Sequence, residues 1–455
     1  MTDITYNRIP GDVQARWATV RVVLEGSAAQ RQATLPELNA HDQSEENRER
    51  NKAYKQRAVW YGVTRKTLDG YLGMAFRKDP RTDLPPKLEV LKRNADGAGN
   101  SIYQQSQEVL ACVLGPGRHG LYVDYDSDLA QPVIKSYRAE SIINWRADKS
   151  GRLVLVVLSE KVDEPDGFGV KTVEQYRELV LEEGKFVCRV HRKTEGGFEI
   201  EELQPKTGKG ALTEIPFAFV GSQNNDPNID GSPLYDLAEL NLAHYRNSAD
   251  YEDSVFYVGQ AQPYISGLNE QWRDHLERSK TAYVGSRHAI LLPEGGAYGF
   301  AQPSPNGMVK EAMDQKEQQM VALGARLLDP NSARQTATHS ENDRETSTSM
   351  LSLCVANVNE AYQRAIQWCA QYATETLTAD QALGSFKISQ DFGRKVMEPQ
   401  LLQAIVSAWQ AQAIAKPDML AYLRAEGVIA AERTDEEIEA DLEAEGPSLG
   451  VLGGE

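Results

Sequence analysis

The chain has 455 residues, 41% hydrophobic and 25% charged, which excludes a wholly disordered protein and leaves room for roughly two to four modules or one large body with insertions. Acidic residues outnumber basic ones by 66 to 49, and a formal net charge of -17 argues against a broad surface that grips nucleic-acid phosphates. DNA as a passing object stays open, because every phosphate neutralised by Lys or Arg adds affinity and so friction.

Apolar residues at helical spacing (Tyr54, Ala58, Tyr61, Leu68, Leu72, Ala75) predict one helix over residues 47–76, ended by the three prolines in 79–86. Arg48, Arg50, Lys52, Lys55, Arg57, Arg65 and Lys66 make it basic, as a solvated face or a contact with an acidic partner. A second helix is expected from Ser101 to Leu114, halted by Gly115, Pro116 and Gly117. Strands are expected at 121–125, 133–137, 153–158, 171–180, 185–192 and 197–202, with turns at 162–169 and 205–210. Together they predict a mostly antiparallel sheet region, closed by a loop over 221–231.

Helices follow. Ser232 reads as an N-cap with Pro233 at the first helical position, and Leu237, Leu240, His244, Tyr251 and Val255 mark one face. Pro263, Gly267, Gly285 and residues 293–307 enclose an insert with a short helix at 270–279 and a strand-like piece at 289–292. The next helix, 308–328, has Val309, Ala312, Met320, Leu323 and Leu327 on its face and a length of roughly 30 Å. Residues 329–342 form a polar loop around Pro330, and 343–377 a helix of roughly 50 Å. In that helix Leu351, Val355, Val358, Tyr362, Ile366, Cys369 and Ala373 recur at steps of three and four. A strand at 387–392, helices at 399–415 and 419–431, and a frayed acidic, glycine-rich tail over 432–455 complete an α+β chain.

Chemistry is hard to find in this pattern. No GxxxxGK[ST] is present; around Gly208, Lys209 and Gly210 the first glycine is replaced by Leu203 and no Ser or Thr follows. Asp124, Asp126 and Asp128 alternate as in a calcium loop, but Leu129 and Lys135 stand where glycine and glutamate are required, so a solvated turn is the better reading. Gly446 to Gly450 matches GxSxG outside any strand-to-helix context. Cys112, Cys188, Cys354 and Cys369 have neither zinc nor disulfide spacing; Cys354 and Cys369 read as core residues and His244 as a packed one. Met1 to Gly11 has no signal-peptide pattern, and no apolar run approaches the roughly 20 residues of a membrane helix. The expectation is a non-enzymatic protein without metal or cofactor, made in a reducing cytoplasm and without a membrane partner.

The order of elements, with the stretches Gly70 to Pro80 (GYLGMAFRKDP), Gly115 to Asp124 (GPGRHGLYVD), Tyr137 to Arg146 (YRAESIINWR) and Gly231 to Asp250 (GSPLYDLAELNLAHYRNSAD), resembles bacteriophage portal proteins. The likeness, over about residues 47–377, is to the portal-like family of tailed phages long catalogued as a domain of unknown function. The resemblance implies a portal fold and a homo-oligomeric ring, usually of twelve subunits, at one capsid vertex of the virion. It would be the channel for DNA packaging and ejection, touching double-stranded DNA, terminase, a head-tail adaptor, and major capsid and scaffolding proteins. Residues 1–231 would be a wing, 232–258 and 308–328 stem helices, 259–307 a clip, 329–342 a tunnel loop, 343–394 the wing's long helix and strand, 395–431 a helical crown and 432–455 a flexible tail. Asn331, Ser332, Arg334, Gln335, Thr336, Thr338 and His339 would face DNA from the loop, and Lys310, Asp314 and Lys316 would line the stem. Rival readings are a head-completion or minor capsid protein that binds a ring, and a packaging motor or nuclease.

Overall fold

The computed structural model describes residues 3–194, 196–203, 206–207, 210–260, 262–279, 292, 294–301, 307–324, 337–373, 384–390, 403, 407–411, 413–425, 429 and 433–445. The chain divides into units 1–390 and 391–455, and the fold is α+β.

The N-terminal region, to which the sequence reading assigns no element before residue 47, carries α1 (Gly11–Glu25) and α2 (Ala28–Gln32). Trp17, Val20, Val23 and Leu24 bury one face of α1, and the Trp17 indole donates to Pro116 O at 2.9 Å. The single basic helix is in fact two, α3 (Glu45–Arg57) and α4 (Val63–Ala75), separated by an extended elbow at 58–62. Tertiary hydrogen bonds override the helical periodicity there. Ser248 Oγ accepts from Val59 N (3.1 Å), while Asn241 accepts from Thr64 N (3.1 Å) and donates to Tyr61 O (2.7 Å).

β1 (Arg81–Asp83) and α5 (Ile102–Leu114) follow; Ser101 and Gln104 form a reciprocal capping box at the start of α5. The sheet region contains β2 (Arg118–Asp126), β3 (Gln131–Arg138), β4 (Ile142–Ala147), β5 (Leu153–Asp166), β6 (Gly169–Glu182), β7 (Lys185–Thr194), β8 (Gly197–Leu203), the short pair β9 (Lys206–Thr207) and β10 (Gly210–Ala211), and β11 (Phe217–Gly221). They form a three-stranded antiparallel sheet, β11-β2-β3, and a five-stranded antiparallel meander, β4 to β8. β4 and β11 are additions to the expected strands. The expected turn at 162–169 is mostly ladder: pairing runs to Asp166↔Gly169 around Gly167, whose φ of 61° suits glycine. Because β6 pairs with β7 only from Gln175, β5 and β6 run on as a two-stranded ribbon tipped by Phe168.

A buried ionic cluster joins the two sheets. Glu160 on β5 accepts from Arg177 Nε (2.7 Å), Gln175 Nε2 (2.5 Å) and the Tyr137 hydroxyl of β3 (2.5 Å). Burial opposes its charge, yet Arg177 and these donors hold the carboxyl below its ordinary range.

Beyond β11 come α6 (Tyr235–Gly259), β12 (Gln262–Ser266), α7 (Glu270–Ser279), β13 (Ala297–Ala301), α8 (Met308–Ala322), α9 (Ala337–Tyr372) and β14 (Ser385–Lys387). Ser232 does not cap α6. Its hydroxyl donates to Gly115 O, residues 233–234 form a turn, and the helix starts at Tyr235. α9 begins six residues before the expected position, since no Gly or Pro interrupts 337–342. Its stripe Leu351, Val355, Val358, Tyr362, Ile366 and Cys369 is fully buried, and the helix packs on β11, β2, β3 and α5. β14 pairs with β1, and it stops at Lys387 because Asn359 of α9 takes both backbone groups of Ile388, at 2.8 and 3.1 Å.

In the second unit, α10 (Lys416–Ala425) and α11 (Asp435–Glu445) bury Met419, Leu420 and Ile438 against one another. Residues 435–445 were expected to fray. Thr434 and Glu437 instead exchange capping hydrogen bonds (3.1 and 3.2 Å), and three carboxylates in the first turn favour the helix N-terminus.

Candidate functional site

The region expected to carry function is the pair α6 and α8 with its insert. β12 and β13 pair antiparallel from Gln262↔Ala301 to Ser266↔Ala297, so the chain leaves α6 and re-enters α8 at the same end. The helices pack side by side and run antiparallel. On α8 the packed stripe is Val309, Ala312, Met313, Lys316 and Met320, of which only Met320 is fully buried; most of the remaining helix surface is polar and exposed.

α6 has two halves. The first is rooted: Leu237, Ala238, Asn241, Leu242, His244, Tyr245, Ser248 and Ala249 are buried, and Asn241 and Ser248 hold the α3–α4 elbow. The second half emerges, leaving Val255, Phe256 and Tyr257 exposed. Helix α3 braces it. Arg57 pairs with Asp253 (2.7 Å) and lies 3.6 Å from the Phe256 ring centroid, Arg50 lies 5.5 Å from that of Tyr257, and the Tyr54 hydroxyl donates to Asp250 (2.7 Å). The acidic partner of Arg57 is therefore this chain. Lys55 pairs with Glu37, Arg65 with Asp69 (2.9 Å), and Lys66 sits over Tyr61. Arg48, Lys52, Arg65 and Lys66 nonetheless remain solvent-exposed.

Of the expected stem-lining residues, Lys310 and Asp314 are one turn apart on the exposed side of α8. Lys316 is not with them. Two residues advance a helix by about 200°, and Lys316 is half-buried on the packed stripe, where it and Glu317 act electrostatically on His244. His244 is 7% exposed, its Nδ1 has no hydrogen-bond partner among the described residues, and the Tyr61 ring lies 5.8 Å away. Desolvation lowers its pKa, with Glu317 raising and Lys316 lowering it further. Asn331, Ser332, Arg334, Gln335 and Thr336 lie outside the described residues, and Thr338 and His339 belong to the first turns of α9 rather than to a loop. The expected strand piece at 289–291, the GxSxG stretch and Lys209 also lie outside them.

The carboxylates of the calcium-like stretch diverge. Asp124 lies 3.9 Å from Arg177, while Asp126 accepts from Asp128 N and Leu129 N (both 3.0 Å) in the β2–β3 turn. Among the described residues no group of three His, Cys, Asp or Glu could hold a metal, and no helix is long and apolar enough to cross a membrane. All four cysteines are buried and unpaired. What the sequence reading missed is the support of this region, Asn241 and Ser248, and its signal was the cluster Val59, Trp60, Tyr61, Gly62, which fits an extended elbow better than a helix interior.

A family model described as a domain of unknown function (DUF4055) matches residues 233–373, from α6 to the end of α9. No curated protein matches. Solved structures similar at low identity include two particle necks. One, the neck of an empty GTA particle computed with C6 symmetry, is 14% identical with a TM-score of 0.43 and covers 95% of this chain and 94% of its own. The other, the neck of a native GTA particle computed with C12 symmetry, is 13% identical with a TM-score of 0.42 and covers 90% and 91%.

Proposed function

We propose that this chain is the subunit of a portal, a ring of twelve copies at one capsid vertex through which double-stranded DNA is packaged and ejected. The observation that carries the reading is the antiparallel α6–α8 pair. It is rooted at one end by buried polar pins, carries a small α/β insert at the other, and turns a polar face of α8 outward. The order of elements and the four sequence stretches that resemble portal proteins support it.

In this reading α6 and α8 are the stem, α8 presents Lys310 and Asp314 towards the bore, and residues 259–307 are the clip that receives terminase and later the head-tail adaptor. The wing of sheets and α9 meets the major capsid and scaffolding proteins. The part played by each subunit is positional, and nucleotide hydrolysis belongs to the motor that docks on the ring. Summed over twelve copies the formal charge is roughly -200, a field that repels DNA from most surfaces and centres it.

The test is mass measurement of the purified chain with averaged particle images. A closed ring with an axial channel is expected, and a chain that stays monomeric at high concentration would overturn the proposal. Isolated rings should also hold duplex DNA weakly and with little salt dependence; tight binding that collapses with salt would contradict a sliding wall.

A further inference from the structure

The β5–β6 ribbon ends in an exposed apolar tip. Phe168 is 115% exposed and Val170 is 66% exposed, and Pro165 lies opposite Val170 in the ladder, on the same side of the ribbon. Residues 161–174 carry four carboxylates against two lysines; Glu164 pairs with Arg192 (3.6 Å) and Glu174 with Lys193 (3.0 Å), which leaves Asp163 and Asp166 near the tip without an ion pair among the described residues. A bare aromatic side chain at the end of an acidic ribbon is a surface waiting for a complement.

The chain holds one. At the elbow the extended backbone sends Trp60 inward, edge-on to Tyr245 with ring centroids 5.2 Å apart, and its neighbours outward. Val59 is 55% and Tyr61 40% exposed. Residues 45–69 carry seven Lys or Arg against four Asp or Glu; Glu37 and Asp253 neutralise Lys55 and Arg57, and Arg48, Arg65 and Lys66 remain exposed. The elbow is also stiff, because Ser248 and Asn241 fix its backbone, so docking there orders little.

We infer that the ribbon tip of one copy docks on the α3–α4 elbow of the next, with Phe168 and Val170 against Val59 and Tyr61 and the acidic ribbon beside Arg65 and Lys66. The full exposure of Phe168 shows that the tip does not sit on its own elbow. Each copy offers one tip and one elbow, so the contact is head-to-tail and propagates around a closed ring. The inference rests on the ring reading above and adds the contact that sets the neighbour.

The experiment pairs Phe168→Cys with Val59→Cys in the full chain under an added oxidant; the four native cysteines are buried. A denaturing gel should show a ladder of covalently joined copies, and neither single variant should form one. Phe168→Ser, which alters no packed residue and should leave the circular-dichroism melt unchanged, should raise the concentration for half-assembly of rings by about tenfold or more. Asp163→Lys with Asp166→Lys should weaken assembly, and adding Arg65→Glu with Lys66→Glu should restore it.

If wild-type rings form but Phe168→Ser assembles equally well and no ladder appears, the docking contact is wrong and the portal reading stands. Crosslinking of Phe168→Cys to a different virion protein likewise overturns the contact. A wild-type chain that never assembles removes both.

Discussion

Residues 118–120 each occupy an interior site that strand propensity does not foretell. Arg118 is 2% exposed and lies between the rings of Trp145 (4.4 Å) and Phe219 (4.2 Å), donating to Asn228 O at 2.6 Å. His119 is fully buried, with both ring nitrogens unpartnered among the described residues, and burial, together with Arg21 and Arg138, pushes its pKa down to about 3. The unfolded chain takes a proton near pH 6.5 that the folded chain refuses, so this neutral histidine leaves stability intact above pH 6.5 and erodes it as pH falls towards 3. Between pH 7 and pH 5 the loss from His119 is about 2 kcal/mol; His119→Leu should remove that share in urea titrations at the two pH values, leaving the part that the lowered His244 contributes in the same window. Glu160 does not confuse the comparison, because its lowered carboxyl withdraws stability only below its ordinary value of 4.5. At Gly120 a Cβ would stand 2.5 Å from the Phe217 ring and 2.9 Å from Ile142; Gly120→Ala should cost about 1–3 kcal/mol by overpacking, read from the urea midpoint. The sequence reading starts this strand at Leu121, because Arg-His-Gly looks like solvent-facing chain and its burial depends on side chains about 25 and 100 residues away in sequence.

At the scale of elements, what was legible is what local spacing controls. The long-helix stripe, the capped start of α5 and most strands were readable because their apolar periods are their own. Ser101→Ala removes one half of the capping box and should cost about 1 kcal/mol, measured as a lower thermal midpoint. Three of the errors share a physical source, a tertiary hydrogen bond that overrides the local pattern. Ser248 and Asn241 break the basic helix, Ser232 spends its hydroxyl on Gly115 O, and Asn359 ends β14. A local cause applies at α11, whose Thr434-x-x-Glu437 box was present in the sequence and masked by the acidic composition around it.

For the whole molecule, the two ends of the proposed function differ in how far they could be read. The sequence pattern places a helix, an insert and a second helix in order, and the structure turns them into an antiparallel pair with distinct inner and outer sides. Which side faces α6 follows from the packing, but that Lys316 shares a face with Ala312 and Met320 rather than with Lys310 was already legible in the helical spacing. Charge is the global property that composition did disclose. Rings mixed with duplex DNA at low and moderate salt should show nearly equal, weak retention in a gel-shift assay, since few exposed cations on α8 are available to release counterions.

The division of α6 into a buried half and an emergent half makes that helix a cantilever. A load on the insert becomes a bending moment whose fulcrum is the pair of side chains Asn241 and Ser248 at the elbow. Shear along the helix is borne by hydrogen bonds of 2.7–3.1 Å made by the buried Asn241 and Ser248 side chains, so the root should yield abruptly rather than creep. Asn241→Ala, which removes about 2 kcal/mol of this anchorage by deleting buried bonds, should lower the unfolding force of the α6 root in a pulling experiment while leaving the rupture of the β5–β6 ribbon unchanged.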